Sequence, residues 1–199
     1  MKSFWEKRYA EEDFAYGIHP NAFLVEQVAH LPAGGRVLVA GDGEGRNGVW
    51  LARHGFIVTS VDYAQSGLDK ARRLAAEQGV VIDTCCADLT AWRGPSAAFD
   101  AVVSIFVHFP PAVRREVHRS LFESLRPGGL LLLEAFSPEQ LRYSSGGPSS
   151  VDLLYTAWQL EEDFTEGEFL LLQETLTELD EGACHQGPAA VTRALIRKP

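Results

Sequence analysis

Cysteine is scarce, with three in 199 residues, too few for a disulfide framework. Two of them, Cys85 and Cys86, are neighbours. Adjacent thiols make poor joint ligands, and no His/Cys spacing in the chain resembles a zinc site. The expectation is reduced thiols in a core strand and no metal centre. Long apolar runs are missing as well, and no stretch reaches the ~20 residues that a membrane span needs. The opening, MKSFWEKRYAEEDF, is charged where a secretory signal would be apolar. Cations are in deficit. With 18 Lys and Arg against 27 Asp and Glu the net charge is −9, which works against a nucleic acid or an anionic membrane as partner, since both require phosphates to be neutralised. No internal repeat is visible. The expectation is a cytoplasmic protein of one domain, 1–199, monomeric or homodimeric, with neither nucleic acid nor membrane as partner.

What the chain does have is 46% hydrophobic residues, enough for a continuous core at this length. Short β-branched runs alternate with helical stretches, the pattern of parallel βαβ units. Helices are expected over 3–14 and 20–30, the second amphipathic through Phe23, Leu24, Gln27, Val28 and Leu31. A strand over 36–40 leads into a helix from about 46 to 54 that stops at Gly55. Then come a strand over 56–61 ending in Asp62, a helix over 64–78, a short strand over 80–84 and a fourth strand over 99–106. A helix at 111–125 breaks at Pro127-Gly128-Gly129, and a fifth strand fills 130–136, apolar through most of its length as for a strand covered on both faces. Residues 137–150 (SPEQLRYSSGGPSS) have the composition of a mobile loop over an active site. After a helix near 151–163, two strand-like runs at 168–178 and 189–197 flank Asp180-Glu181-Gly182 and imply an antiparallel hairpin. The expected fold is α/β, a Rossmann-like seven-stranded sheet of five parallel strands closed by that hairpin, with helices on both faces. Residues 1–30 form a helical cover and 31–199 the core.

Chemistry concentrates first in Leu38-Val39-Ala40-Gly41-Asp42-Gly43-Glu44-Gly45-Arg46-Asn47-Gly48. Glycines after a first strand let backbone approach a ligand, and the following helix aims free N–H groups at it. Two patterns overlap here. Gly43, Gly45 and Gly48 fit the G-x-G-x-x-G of dinucleotide sites, and Gly41, Gly43 and Gly45 fit the G-x-G-x-G turn that holds S-adenosylmethionine. Asp62, 17 residues beyond Gly45 at the end of the second strand, can accept both ribose hydroxyls of either cofactor. Asp88 discriminates. Just past the third strand, it can accept from an adenine amino group with Leu89 beside the ring, a position that dinucleotide folds do not typically mark with an acid. The Phe99-Asp100-Ala101-Val102-Val103-Ser104 strand, Arg126-Pro127-Gly128-Gly129 and the terminal hairpin select S-adenosylmethionine as well.

With those pieces in order, the sequence resembles the class I S-adenosylmethionine-dependent methyltransferases over nearly its whole length. Within them it is most similar to the small tellurite-resistance (TehB-like) and thiopurine-type group. Trp5, Arg8-Tyr9, Tyr16-Gly17, Pro20-Asn21, Gly43 to Asn47, Ser104 to Pro110 and Glu181 to Gly187 carry the likeness. The resemblance implies in-line displacement of a methyl group to a thiol, a metalloid oxyanion or an amine, with S-adenosylhomocysteine as product. The implied cofactor-binding residues are Arg8, Tyr16, Gly41, Asp42, Gly43, Gly45, Asn47, Asp62, Tyr63, Asp88, Leu89, Ser104 and Phe106. On the acceptor side stand His108, His185 and Arg193. Tyr16 and Arg8 belong to a cover that folds over the cofactor, packed down by Trp5, Phe14 and Trp158, and Arg8 is placed to pair with the cofactor carboxylate.

Two departures stand out. Members of this class often carry an acid two positions before the first glycine, which here is Val39, while Asp42 lies inside the turn and either approaches the cofactor's ammonium or caps the helix. A second basic residue can follow the acceptor-side histidine, but here Gln186 does. A non-catalytic S-adenosylmethionine-binding module and an NAD-dependent oxidoreductase are the competing readings.

Overall fold

The computed structural model describes residues 2–199. Seven strands form one sheet in the order β3-β2-β1-β4-β5-β7-β6: β1 Arg36–Ala40, β2 Ile57–Asp62, β3 Asp83–Cys86, β4 Phe99–Ile105, β5 Leu125–Phe136, β6 Glu168–Asp180 and β7 Gln186–Arg197. The first five run parallel, β7 returns antiparallel against β5, and β6 pairs antiparallel on β7. The helices are α1 Lys2–Tyr9, α2 Ala22–Gln27, α3 Arg46–Arg53, α4 Gln65–Glu77, α5 Pro111–Glu123 and α6 Ala157–Asp163. Among the described residues no helix is long and apolar enough to cross a membrane.

Strand periodicity sorts the core into two layers. In β1, Val37 and Val39 face one way and pack with Phe23 and Leu24 of α2, Val49 and Leu51 of α3, and Leu74 of α4. Leu38 and Ala40 face the other way and pack with Val117 and Leu121 of α5 and Leu160 of α6. A central strand buried on both faces has to be apolar at every position, and from Leu130 to Phe136 β5 is, except at Glu134. The chain leaves β1 towards β2 and β3, then crosses back to β4 on β1's other side. That reversal opens a crevice at the carboxyl ends of β1 and β4.

Several boundaries moved. The first helix ends at Tyr9 rather than at 14, and α2 begins only after Pro20, where the Asn21 side chain accepts from Leu24 N at 3.0 Å. Phe23 and Leu24 are core residues, so the cover ends before α2. The third strand sits at 83–86, not 80–84, because pairing of Thr59 with Asp83 sets its register and leaves Val81 at 85% exposure. Residues 137–150 are pinned. Gln140 accepts from Ala190 N and donates to Ser145 Oγ and Gly146 O, and Ser145 Oγ donates to Pro188 O.

Candidate active site

The glycine turn leaves β1 with Gly41, Gly43 and Gly45 at φ of +66°, +57° and +88°, a left-handed backbone that side chains disfavour. Gly45 is also the N-cap of α3, and a Cβ there would run into Ala71 of α4. Glycine at this point lets the two helices converge on the turn. The Gly43 N–H is held by Asp62 Oδ2 at 3.0 Å, and the other Asp62 oxygen accepts from Ala64 N at 2.8 Å.

Asp42 resolves the Val39 departure. Val39 is buried in the core, and its register partner in β2 is Ser60, so the two side chains share a sheet face. Asp42 Oδ2 accepts from Ser60 Oγ at 2.5 Å and Oδ1 from Gly48 N at 3.2 Å. The turn thus delivers a carboxylate to the face that an acid at position 39 would have served, and caps the first turn of α3 while doing so. Gly48 makes this possible, because any Cβ there would collide with the Asp42 carboxylate and Ser60 Oγ. Burial pushes the Asp42 carboxyl up to about 6, against the opposing hydrogen bonds of Ser60 and Gly48. No cation lies within ion-pairing distance of it among the described residues.

At the ends of β2 and β3 the structure gathers Asp62, Tyr63 and Asp88. Tyr63 registers both acids: burial, then the charges of Asp62 and Asp88, push its hydroxyl up to about 12. Asp88 is exposed and uses Oδ1 to accept from Thr90 N and Oγ1, while Leu89 is buried.

Across the switch point, Phe106 follows β4 with φ +55°. Left-handed backbone is uncommon for an aromatic residue, costs on the order of 1–3 kcal/mol, and clusters at functional sites. Its N–H donates to Glu134 O at 2.7 Å and its ring stacks on Phe136 at 4.5 Å. Edge-on to both rings lies His185, 4.8 Å from Phe106 and 5.4 Å from Phe136, with Tyr16 4.5 Å away on another side. These four residues pack into one aromatic cluster just past the end of β4, where Ser104 is buried and in register with Ala40 of β1.

Other expected site residues serve the scaffold. His108 pairs Nδ1 with Leu153 O at 2.6 Å and takes Phe136 N on Nε2 at 3.4 Å, and burial lowers it to about 4. Neither nitrogen is left for an acceptor. Asn47 Oδ1 accepts from Asn21 N at 2.9 Å. Arg193 is buried, with Nε on Glu134 Oε1 at 2.6 Å, and does not meet His185 directly. The two are joined through intermediates: Glu134 Oε2 accepts from Asn21 Nδ2, which also donates to Glu181 Oε1 at 2.9 Å, and Glu181 lies beside His185. Glu134, Glu181, Asn21 and Arg46 were not expected at the site. The signal available was Glu134, a lone charge inside Leu-Leu-Leu-Leu-Glu-Ala-Phe.

The cover docks through polar contacts. Glu44 accepts from Ala15 N and pairs with Lys70, which also donates to Asp13 O. Tyr9, another residue not expected, is buried against Gly43 and Gly67. Arg8 stacks on Phe4 and Trp5, donates to Tyr16 OH at 2.7 Å and lines an open cleft of about 500 Å³ between α1 and the hairpin loop. Trp158 takes no part and is 63% exposed on α6.

Residues 37–129 match the family model described as a methyltransferase domain. That stretch is similar to methyltransferase domains. The match holds the glycine turn, Asp62, Asp88 and Phe106, and the strand order with its closing hairpin makes the fold class I. Among curated proteins the chain is similar to the ubiquinone biosynthesis O-methyltransferase of Methylocella silvestris, 37% identical over 96 residues, 48% of this chain and 38% of that protein. It is also similar to an S-adenosyl-L-methionine-dependent Diels-Alderase of Talaromyces variabilis, 31% identical over 107 residues, 52% of this chain and 37% of that one. The chain spans 21% to 38% of the length of the first curated relatives it matches. The crystal structure of TehB from Haemophilus influenzae superimposes with a TM-score of 0.74 over 100% of this chain and 67% of that chain, at 20% identity, a likeness of fold. The glycine turn, Asp62 and Asp88 lie inside the matched residues, while the N-terminal cover and the terminal hairpin lie outside them.

Proposed function

We propose that the protein transfers a methyl group from S-adenosylmethionine to a small-molecule acceptor. The observation that carries this is the row of groups along the carboxyl edge of the sheet. In the order β3-β2-β1-β4 come Asp88, Asp62, the glycine turn and Phe106, following strands that lie about 4.8 Å apart. Such a row offers an acceptor for an adenine amino group, a carboxylate for ribose hydroxyls, an acidic turn for an amino-acid end and an aromatic wall at the reacting centre. Asp42 tests the fit, since a buried carboxylate without a cation suits the cofactor's ammonium. When bound, S-adenosylmethionine supplies an electrophilic methyl group on a sulfonium and leaves as S-adenosylhomocysteine. The chain's own part is positioning, with Tyr16, Phe106 and Phe136 excluding water and fixing the acceptor near its attack geometry, and His185 taking the acceptor's proton.

The acceptor side favours a neutral thiol or amine over a metalloid oxyanion. Arg46 and Arg193 are each neutralised by a buried carboxylate, the Arg8 guanidinium is taken up by Tyr16 OH and the Phe4 and Trp5 rings, and Gln186 adds no charge. A second reading, a protein that uses the cofactor without methyl transfer, is supported by the similarity to the Diels-Alderase. Calorimetric titration with S-adenosylmethionine, S-adenosylhomocysteine and NAD tests the first level, and NAD binding alone would overturn the proposal. Turnover of methyl-labelled cofactor against panels of thiols, amines and oxyanions tests the second. Tight binding with no labelled product from any panel leaves the second reading.

A further inference from the structure

The Arg46-Asn47 pair of the glycine motif makes no contact that the cofactor site accounts for. Arg46 Nη2 donates to Glu181 Oε2 at 2.6 Å, and the Glu181 partner Asn21 is bound through its own N–H by Asn47. Arg46, Asn47, Asn21 and Glu181 are all buried. With one oxygen on Arg46 and the other on Asn21, the carboxylate cannot rotate. Its Oε2 lies 3.7 Å from His185 Nδ1, a nitrogen that is sealed from solvent and has no hydrogen-bond partner. The other nitrogen, Nε2, lies on the Gly146 side of the ring, where a Cβ on residue 146 would strike Cδ2 at 2.6 Å.

We infer that Glu181 is a positioning residue that holds His185 in the Nδ1–H tautomer and so leaves Nε2, on the Gly146 side, as the ring's basic nitrogen. The inference rests on the proposed methyl transfer only for its use of that base. The physical reason is local. A lone pair on Nδ1 would point at a fixed carboxylate oxygen inside a low-dielectric pocket, whereas an N–H there is attracted to it. At 3.7 Å the contact is longer than a hydrogen bond, and such contacts tighten when a site fills. In the reaction a lone pair on the acceptor atom X would bond the methyl carbon as the methyl–sulfur bond breaks with its pair left on sulfur, and the X–H proton would go to Nε2, its bonding pair staying on X. The imidazolium so formed has Glu181 beside Nδ1 to balance it. Through Arg46 and Asn47 the same carboxylate is anchored to the first turn of α3, so the cofactor turn and the acceptor histidine are set by one rigid unit.

Besides Glu181, the charged or titratable groups that act on His185 are Arg46 from α3, Arg8 from α1, Tyr16 from the cover and His108 after β4. The test is long-range ¹H–¹⁵N correlation of histidine-labelled protein, with His185 assigned from His185→Gln, and needs no acceptor. The expected result is a neutral His185 protonated on Nδ1. In Glu181→Gln, which keeps an amide oxygen and an NH2 on the same stem, His185 should lose that tautomer preference and its titration midpoint should fall. A His185 protonated on Nε2 in the wild-type protein overturns the inference, and so does a tautomer and midpoint unchanged in Glu181→Gln. If Glu181→Gln does not fold, the wild-type tautomer decides alone. Titration of the wild type with S-adenosylhomocysteine is run in parallel. Failure to bind would sink the methyltransferase proposal and leave the tautomer result standing.

Discussion

A buried carboxylate without a cation weakens a fold, and Asp42 is such a group. Its carboxyl rises from 3.8 to about 6 on folding. Between those values the native state binds more protons than the unfolded chain, so stability falls as pH rises through this window, and the whole penalty is present above pH 6. At ~1.4 kcal/mol per unit the penalty is about 3 kcal/mol. Asp42→Asn keeps an acceptor for Gly48 N and should therefore stabilise the ligand-free protein by up to about 3 kcal/mol at pH 7 and by almost nothing at pH 4, while weakening S-adenosylmethionine binding. Urea unfolding at the two pH values checks the first part, and equal stability at pH 7 would remove the reading of Asp42 as a strained acid. Asp62→Ala is the contrast. It deletes acceptors for Gly43 N and Ala64 N, so it should lower both the melting temperature and cofactor affinity, the latter by about 1–3 kcal/mol, measured by calorimetry. Much of this was legible in the sequence, where Val39 marked a missing acid and Asp42 a displaced one. The direction of the Asp42 side chain was not, because Ser60 and the bare Cα of Gly48 determine it, and both are distant in sequence from the empty position.

Among the elements, α1 is attached differently from the rest. Its one buried residue is Tyr9, and its other anchor is Glu6. The N-cap of α4 is Ala64, which has no side chain to offer, and Glu6 takes its place from another helix. Its two oxygens accept from Gln65 N at 2.9 Å and Ser66 N at 3.0 Å, while Ser66 Oγ donates to Glu6 O. Those bonds hold the Glu6 carboxyl below its usual value, so its cap is in place above the ordinary Glu range and is lost as pH falls through the lowered value. Glu6→Ala should cost about 0.5–2 kcal/mol, the scale of a lost cap. Since Tyr9, one turn further along α1, rests on Gly43, the same change should speed release of S-adenosylhomocysteine in stopped-flow. Unchanged release would mean that α1 is not held by this contact. Periodicity read β1, β2, α3, α4, β4 and α5 nearly to the residue, since each carries a continuous apolar face. It misplaced β3, whose paired residues, Asp83-Thr84-Cys85-Cys86, are polar edge positions next to a more apolar Val80-Val81-Ile82. It also ended the first helix late, at 14 rather than at Tyr9.

Taken whole, the molecule is tied across its layers by a buried polar chain, Arg46–Glu181–Asn21–Glu134–Arg193. It runs from α3 through the segment before α2 and the central strand β5 to the terminal hairpin. A buried ion pair contributes little net stability, because desolvation offsets attraction, but breaking one side leaves a charge with no partner. Glu134 and Arg193 separate these effects. Glu134 is fully buried in β5 and Arg193 reaches it from β7, with its guanidinium also over the Phe23 ring at 4.9 Å. Glu134→Leu should destabilise the protein by about 3–5 kcal/mol, since Arg193 loses its buried partner and keeps only the exposed Glu26 carboxylate at 3.9 Å. Arg193→Leu should cost a similar amount for the reverse reason. The double substitution removes both charges at once and should cost less than either single one, a coupling that a denaturant-unfolding cycle measures directly. Additive costs in the cycle would show that the two residues act independently and would remove the case for one polar unit joining the cofactor turn to the hairpin.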